Sequence, residues 1–297
     1  AAAARAGLTD STDGGFTMHK RRYTLAIIIA VLLVGAAALW LKPARGLLHD
    51  APRQLPWSVP DYRPAKTAHT VLPDGRIRIE ITHLPLNGIR PEMLAWWYRQ
   101  LPVSSVEVGG VRYPFYHVFH PTEHGRIRVL EPATDGKAGM GVGALVEREE
   151  WFGPFDSKGA GRVTQLSAAG MTVVPEVAGF EFGEIRHTFE ATATGTRYRV
   201  VSIIGVQWPL VGGAVNGLIR RAMYPEAMLT QWERHQVEEV GMLQHFLPLG
   251  VPVLGIEPAP NVAAKAIELG VPTRIAFFGR ALADEMVAAG QSADLIA

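Results

Sequence analysis

The run from Tyr23 to Leu41, YTLAIIIAVLLVGAAALWL, contains no charged residue. Inside a bilayer every backbone N–H and C=O must be paired within the segment, so a run of this length has one favourable form, a helix crossing the ~30 Å hydrocarbon core. His19, Lys20, Arg21 and Arg22 precede it, and the weaker basic pair Lys42 and Arg45 follows. The positive-inside rule then places the N-terminus in the cytoplasm and everything after residue 45 on the periplasmic or extracellular side. A buried core helix and a cleaved signal peptide, with Ala36 to Ala38 as peptidase site, compete with this reading. The run is longer than a usual signal h-region, which favours an uncleaved anchor. Residues 1–22 read as a disordered, basic N-terminus, and residues 1–17, which precede Met18, are expected to be upstream sequence outside the natural protein. Residues 42–71 are proline-rich and weakly periodic, as expected of a tether.

A chain of 297 residues leaves room for one large domain beyond the anchor. It has no cysteine, which excludes disulfides, thiol catalysis and cysteine-ligated metal sites; any zinc must be held by His, Asp or Glu. The net charge of +1, with no strongly basic stretch in the soluble part, gives no support to a nucleic-acid partner.

Periodicity organises residues 72–250. RIRIEIT, Arg76 to Thr82, alternates like a strand. Arg90 to Leu101 has Pro91 in a first helical turn and Met93, Leu94, Trp97 and Leu101 at helical spacing. Tyr113 to Phe119 is aromatic and strand-like, and Gly139 to Phe152 alternates with Val142, Ala144 and Val146 on one face. Met171 to Val174, Phe180 to Ala193 and Arg197 to Val206 are further strands, the last two joined by a turn at residues 193–196. Leu218 to Phe246 is a long amphipathic helix, with an interruption expected at Pro225. The pattern predicts an α+β domain whose curved antiparallel sheet wraps the final helix and encloses a cavity for a small apolar or aromatic ligand.

Three local patterns carry candidate chemistry. In YHVFHPTEH, residues 116–124, His120 and His124 can aim at one point if Pro121 opens a helical turn. In QWERHQVEE, residues 231–239, His235 and Glu239 lie four apart, on one helical face, and can ligate one ion. The third is the acidic cluster Glu147, Glu149 and Glu150, where an inward Val142, Ala144 and Val146 would carry Glu150 to the same side and leave the other two outside. Each has an ordinary alternative: a solvated His–Glu pair on a helix surface, an exposed strand end, a half-buried strand histidine at His187, core aromatics at Trp96, Trp97, Tyr98 and Tyr113. No Gly-x-Ser-x-Gly elbow is present to support a serine nucleophile.

Taken together, LAWWYRQLP (94–102), YPFYHVFHPTEH (113–124), GVGALVEREEWFG (141–153), RHTFEATATGTRYRVVSIIG (186–205) and WERHQVEEVGMLQHFLP (232–248) resemble the 2,4-diacetylphloroglucinol hydrolase family, which includes phloretin hydrolase. The resemblance covers roughly Arg76 to Leu249. It implies a Bet v1-like helix-grip fold, a Zn²⁺ site of His and Glu ligands, and hydrolysis of the carbon–carbon bond between an acyl group and a phenolic ring. Carried over by position, His235 and Glu239 are the helical ligands, and His124 (or His120) and Glu150 complete the set. His187, Tyr116 and His120 are the expected catalytic contacts. An asparagine expected just after the first ligand has no counterpart, since Ile127 or Glu123 stands there. The expected partners are a small phenolic ketone and the membrane, and a homodimer is compatible with the sequence. A helix-grip protein that carries aromatic or lipid ligands without catalysis is the main competing function, with bound metal as the discriminator.

From Val251 the character changes to alternating strand, helix, strand, helix, strand. Residues 251–297 resemble the interior of a class I S-adenosylmethionine-dependent C-methyltransferase, a partial Rossmann-like α/β unit in which Glu257 would bind ribose hydroxyls. The preceding strand and glycine-rich loop of that fold are missing, so this piece is expected to be a non-functional fragment, joined by fusion or by an assembly error. A C-terminal extension packing on the hydrolase domain is the alternative. A sugar C-methyltransferase, the third functional class, rests on this tail alone.

Overall fold

The computed structural model describes residues 46–177, 179–250, 254–268 and 271–291. The expected anchor at 23–41 lies outside the described residues, as does the last strand expected of the C-terminal piece. No helix among the described residues is long and apolar enough to cross a membrane.

One antiparallel sheet dominates. Its path runs β1 (Lys66–Val71), β2 (Ile77–Thr82), β12 (Gly195–Ile204), β11 (Gly183–Ala191), β9 (Gly170–Val177), β8 (Phe155–Ser167), β7 (Leu145–Phe152) and β6 (His124–Glu131). Short β3 (Leu86–Asn87) pairs with β12, and β10 (Phe180–Glu181) with β9. The inner face follows the period of two. Ile77, Ile79 and Ile81 of β2, Tyr198, Val200 and Ile204 of β12, and Ile185 and Phe189 of β11 are buried in one core. A separate hairpin pairs β4 (Ser105–Val108) with β5 (Val111–Pro114).

Helix α1 (Pro91–Gln100) starts at a proline whose missing N–H is harmless there, and buries Leu94, Trp97 and Tyr98. A five-residue turn, α2 (Phe115–Phe119), follows the hairpin. Helices α3 (Gly212–Met223) and α4 (Glu226–Gly250) end the domain. Consecutive residues from His235 to Val240 are buried, so this part of α4 has no solvent face. It touches β7 near one end of the sheet and β1, β2 and β3 near the other. The fold is therefore a mixed α/β arrangement in which a large antiparallel sheet encloses a long late helix.

Several expectations are corrected. The tether does not reach residue 71, because Lys66–Val71 forms a hairpin with β2 in full register. Tyr113 to Phe119 is not a strand: β5 ends at Pro114 and the aromatics continue into α2. The strand expected from Gly139 begins at Leu145, and Val142 is 46% exposed. Positive φ at Gly139 and Gly143, +87° and +90°, marks that stretch as a loop. The late helical stretch starts at Gly212, not Leu218, while its break at Tyr224 and Pro225 is where the sequence placed an interruption, proline being unable to donate the hydrogen bond a continuous helix needs. In the C-terminal piece β13 (Gly255–Ile256) and β14 (Thr273–Arg274) pair in parallel, with α5 (Pro260–Glu268) between them and α6 (Arg280–Ala288) after. The Glu257 carboxylate accepts from the Ala259 N–H, 2.8 Å away.

Candidate metal centre

His124 opens β6, and Glu150 sits directly opposite it on β7. A bulge between His124 and Arg126 is decisive for the first of these. Arg126 and Arg128 are exposed, and regular alternation would send His124 out with them; the extra residue, Gly125, turns it inward. Gly125 has little freedom to change, since a Cβ there would lie 3.1 Å from the Glu149 carbonyl oxygen. On β7 Glu150 is 3% exposed, while Glu147 pairs with Arg128 and Glu149 with Lys158. Helix α4 delivers His235 and Glu239 to the same point by their i,i+4 spacing.

His124, Glu150 and His235 form a cluster compatible in spacing with an ion, and Glu239 approaches both imidazoles. His124 Nε2 lies 3.3 Å from His235 Nε2 and 3.3 Å from Glu239 Oε2. Glu150 Oε2 is 3.9 Å from each imidazole nitrogen, and Glu239 Oε2 is 3.7 Å from His235 Nε2. A tetrahedral zinc with bonds of about 2.0–2.1 Å needs ligand atoms about 3.3–3.4 Å apart. These separations fall within about half an ångström of that shell.

The donor chemistry makes the same demand. His124 Nδ1–H donates to the Tyr116 carbonyl at 2.6 Å, and His235 Nδ1–H donates to Glu123 Oε2 at 2.8 Å. Each ring has one proton when neutral, so both Nε2 atoms present lone pairs to each other. Burial pushes both imidazoles well below their usual range, which keeps them neutral. Burial also pushes the Glu239 carboxyl up to about 8. Two facing lone pairs and two converging carboxylates are mutually repulsive unless protons or a cation lie among them. The residues present fit a metal ion.

Glu123, which sequence reasoning did not single out as functional, organises the support. Its carboxylate accepts from His235, from the Gly153 N–H at 2.9 Å and from Arg234. Arg234 also pairs with Glu238. With an ion on His235 Nε2 this would be the carboxylate–histidine–metal arrangement that fixes a ligand's tautomer. His120, Glu123 and His235 form a second cluster compatible in spacing with an ion, but hydrogen bonding uses it otherwise. The Glu123 N–H donates to His120 Nδ1 at 3.2 Å, so His120 Nε2 carries the proton and donates to Glu238 at 3.2 Å. The His120 ring stacks on His235, 4.4 Å between centroids, and does not line the cavity. The structure thus commits both His120 ring nitrogens to protein partners, Glu123 and Glu238.

Glu150 and Glu239 lie at the wall of a cavity of about 170 Å³, room for on the order of ten waters or about ten non-hydrogen ligand atoms. Phe119, Phe152, Phe182, Ile127 and Trp232 supply much of its apolar lining. Tyr116 stacks on His124 and donates from its hydroxyl to Glu150 Oε2 at 3.1 Å; burial, then the Glu150 charge, pushes its pKa up. His187, also expected at the site, lines the same cavity. Its Nδ1 is 2.7 Å from the Tyr198 hydroxyl, which in turn bonds Tyr98, and burial holds this imidazole down at about 3. Arg148, two residues before Glu150 on the same face, enters the cavity as well. No spacing rule in the sequence marked Arg148, Tyr98 or Tyr198, though strand parity shared with Glu150 was a usable signal for the first.

No protein-family model matches the chain, and no curated protein matches it. Among solved structures it is similar to the KanY protein (ms6282), at 11% identity over 62% of this chain and 98% of that one, with a TM-score of 0.37. It is similar to Ara h 8.0201 at 11% identity over 58% and 97%, TM-score 0.36, and to Ms6760 from Mycobacterium smegmatis at 10% identity over 62% and 98%, TM-score 0.38. Likeness at this level carries no argument about chemistry, which rests on the side chains above.

Proposed function

We propose that this protein is a zinc-dependent hydrolase that cleaves the carbon–carbon bond between an acyl group and a phenolic ring, on a Bet v1-like helix-grip domain held at a membrane by the segment at 23–41. The observation that supports it most is the approach of His124, His235, Glu150 and Glu239 to one another beside an aromatic-lined cavity whose wall includes the two carboxylates. The four would hold the ion, which supplies Lewis acidity toward a carbonyl and lowers the pKa of water. Phe119, Phe152 and Trp232 would sandwich the ring and exclude bulk water. Tyr116, whose hydroxyl proton now goes to Glu150, would turn that one hydrogen bond to a substrate oxygen beside the scissile bond. His187, neutral and tied through Tyr198 to Tyr98, would orient a ring hydroxyl from the other wall. In the net reaction water adds its oxygen to the acyl carbon, the bond to the ring breaks, and the ring carbon takes up a proton. The products are a carboxylic acid and the deacylated phenol.

The test is incubation of the zinc-loaded protein with acylphenols and detection of both products by mass spectrometry. Hydrolysis that stops on chelation and returns with zinc supports the reading. A zinc-loaded protein that binds acylphenols but releases no acid would favour the ligand carrier.

A further inference from the structure

Arg148 is an unusual arginine. Arg162 bonds Glu176, Glu131 and the Gly143 carbonyl, and Arg234 forks between Glu123 and Glu238. Arg148 has one ion pair, Nε to Glu150 Oε1 at 2.9 Å. Among the described residues nothing accepts a hydrogen bond from its guanidinium, and Glu150 Oε1 itself has no hydrogen-bond partner. Its side chain lines the cavity, and 37% of that side chain's surface stays accessible. Gly159, its partner on β8, offers no side chain to cover it.

Charge arithmetic points the same way. Glu150 and Glu239 cancel the two charges of a divalent ion. Tyr116 and His187 are neutral, and Lys158 at the cavity edge is engaged by Glu149 at 2.6 Å. With the ion in place, Arg148 leaves the cavity with one net positive charge in a partly solvated wall, a preference for one anionic oxygen.

We propose that Arg148 is a specificity-determining residue that binds an ionised oxygen of the substrate, so that the ligand is an acylphenol taken as its phenolate. The inference rests on the acylphenol reading above. Guanidinium fixes a planar fork of donors whose charge does not titrate, and it holds the phenolate beside Glu150 with the acyl group toward the metal ligands.

The experiment compares 4′-hydroxyacetophenone, which ionises, with 4′-methoxyacetophenone, which cannot, by calorimetry and by phenolate absorbance on the full chain in detergent. Wild type should bind the ionised probe about tenfold or more tightly than the ether, and the bound phenol should ionise at lower pH than the free one. Arg148→Gln should bring the two affinities within about twofold and remove the ionisation shift, with zinc content and ether binding retained. Arg148→Lys should keep part of the preference. A preference that survives Arg148→Gln, or wild type without one, overturns the proposal. The hydrolase reading fails separately: zinc-loaded wild type that shows the Arg148-dependent preference but releases no acid from acylphenols would refute that reading and leave this one standing.

Discussion

Replacing Glu123 by alanine separates support of the metal ligands from ligation itself. The carboxylate accepts from His235 Nδ1 at 2.8 Å, the Gly153 N–H at 2.9 Å and Arg234. Arg234 keeps Glu238 after the change, but the other two donors lose their acceptor in a buried site. Each orphaned donor costs about 1–3 kcal/mol, so metal-free protein should lose about 2–6 kcal/mol by urea unfolding. With His235 free to rotate or change tautomer, metal affinity should fall about 10–100-fold in chelator competition. Glu123→Gln keeps an acceptor for the imidazole and should recover most of the stability and only part of the affinity. Glu123→Ala that unfolds at the wild-type midpoint and binds metal equally well would refute the reasoning.

Further outcomes follow from other parts of the structure. His83 is buried with neither ring nitrogen hydrogen-bonded; burial, and then nearby His187, holds it down at about 3. The unfolded chain therefore takes up the proton first, so stability is full above about pH 6.5 and falls toward pH 3, by up to about 1.4 kcal/mol per pH unit for each such histidine. His83→Leu should flatten that acid slope, and an unchanged slope would count against it. Gly183 has φ +116°, and a Cβ there would lie 1.9 Å from the Ile203 carbonyl oxygen; Gly183→Ala should cost about 2 kcal/mol or more, and a midpoint equal to wild type would contradict this. Tyr98→Phe removes the buried bond to Tyr198, which keeps His187. It should cost about 1 kcal/mol in denaturant, and a variant as stable as wild type would contradict this.

Much of the sheet was legible because β2, β11 and β12 alternate cleanly, and α1 carries its proline and apolar spacing in the open. β8 was missed because FDSKGAGRVTQLS mixes glycines and charges with few apolar residues, and its pairing comes from neighbours on both sides. β6 alternates too, but it opens at His124 directly after a histidine-rich turn, and the bulge at Gly125 breaks its period at that end. For the site, i,i+4 spacing marked His235 and Glu239, and parity separated Glu150 from Glu147 and Glu149. Local spacing left His120 and His124 open, because a bulge at Gly125 decides which one faces the centre and no local rule announces it. Glu123 and Arg148 were harder still: their meaning lies in contacts to α4 and to the cavity, which exist only after the sheet has closed around the helix.

The central claim is that one ion sits among His124, His235, Glu150 and Glu239. Its most direct test is the metal content of the purified full chain by plasma mass spectrometry, with X-ray absorption at the metal edge, beside His235→Ala/Glu239→Ala. The account predicts about one zinc per chain with only nitrogen and oxygen ligands at about 2.0–2.1 Å, lost in the double variant. A wild-type protein that neither retains nor takes up zinc, or a double variant that keeps it, would contradict the account.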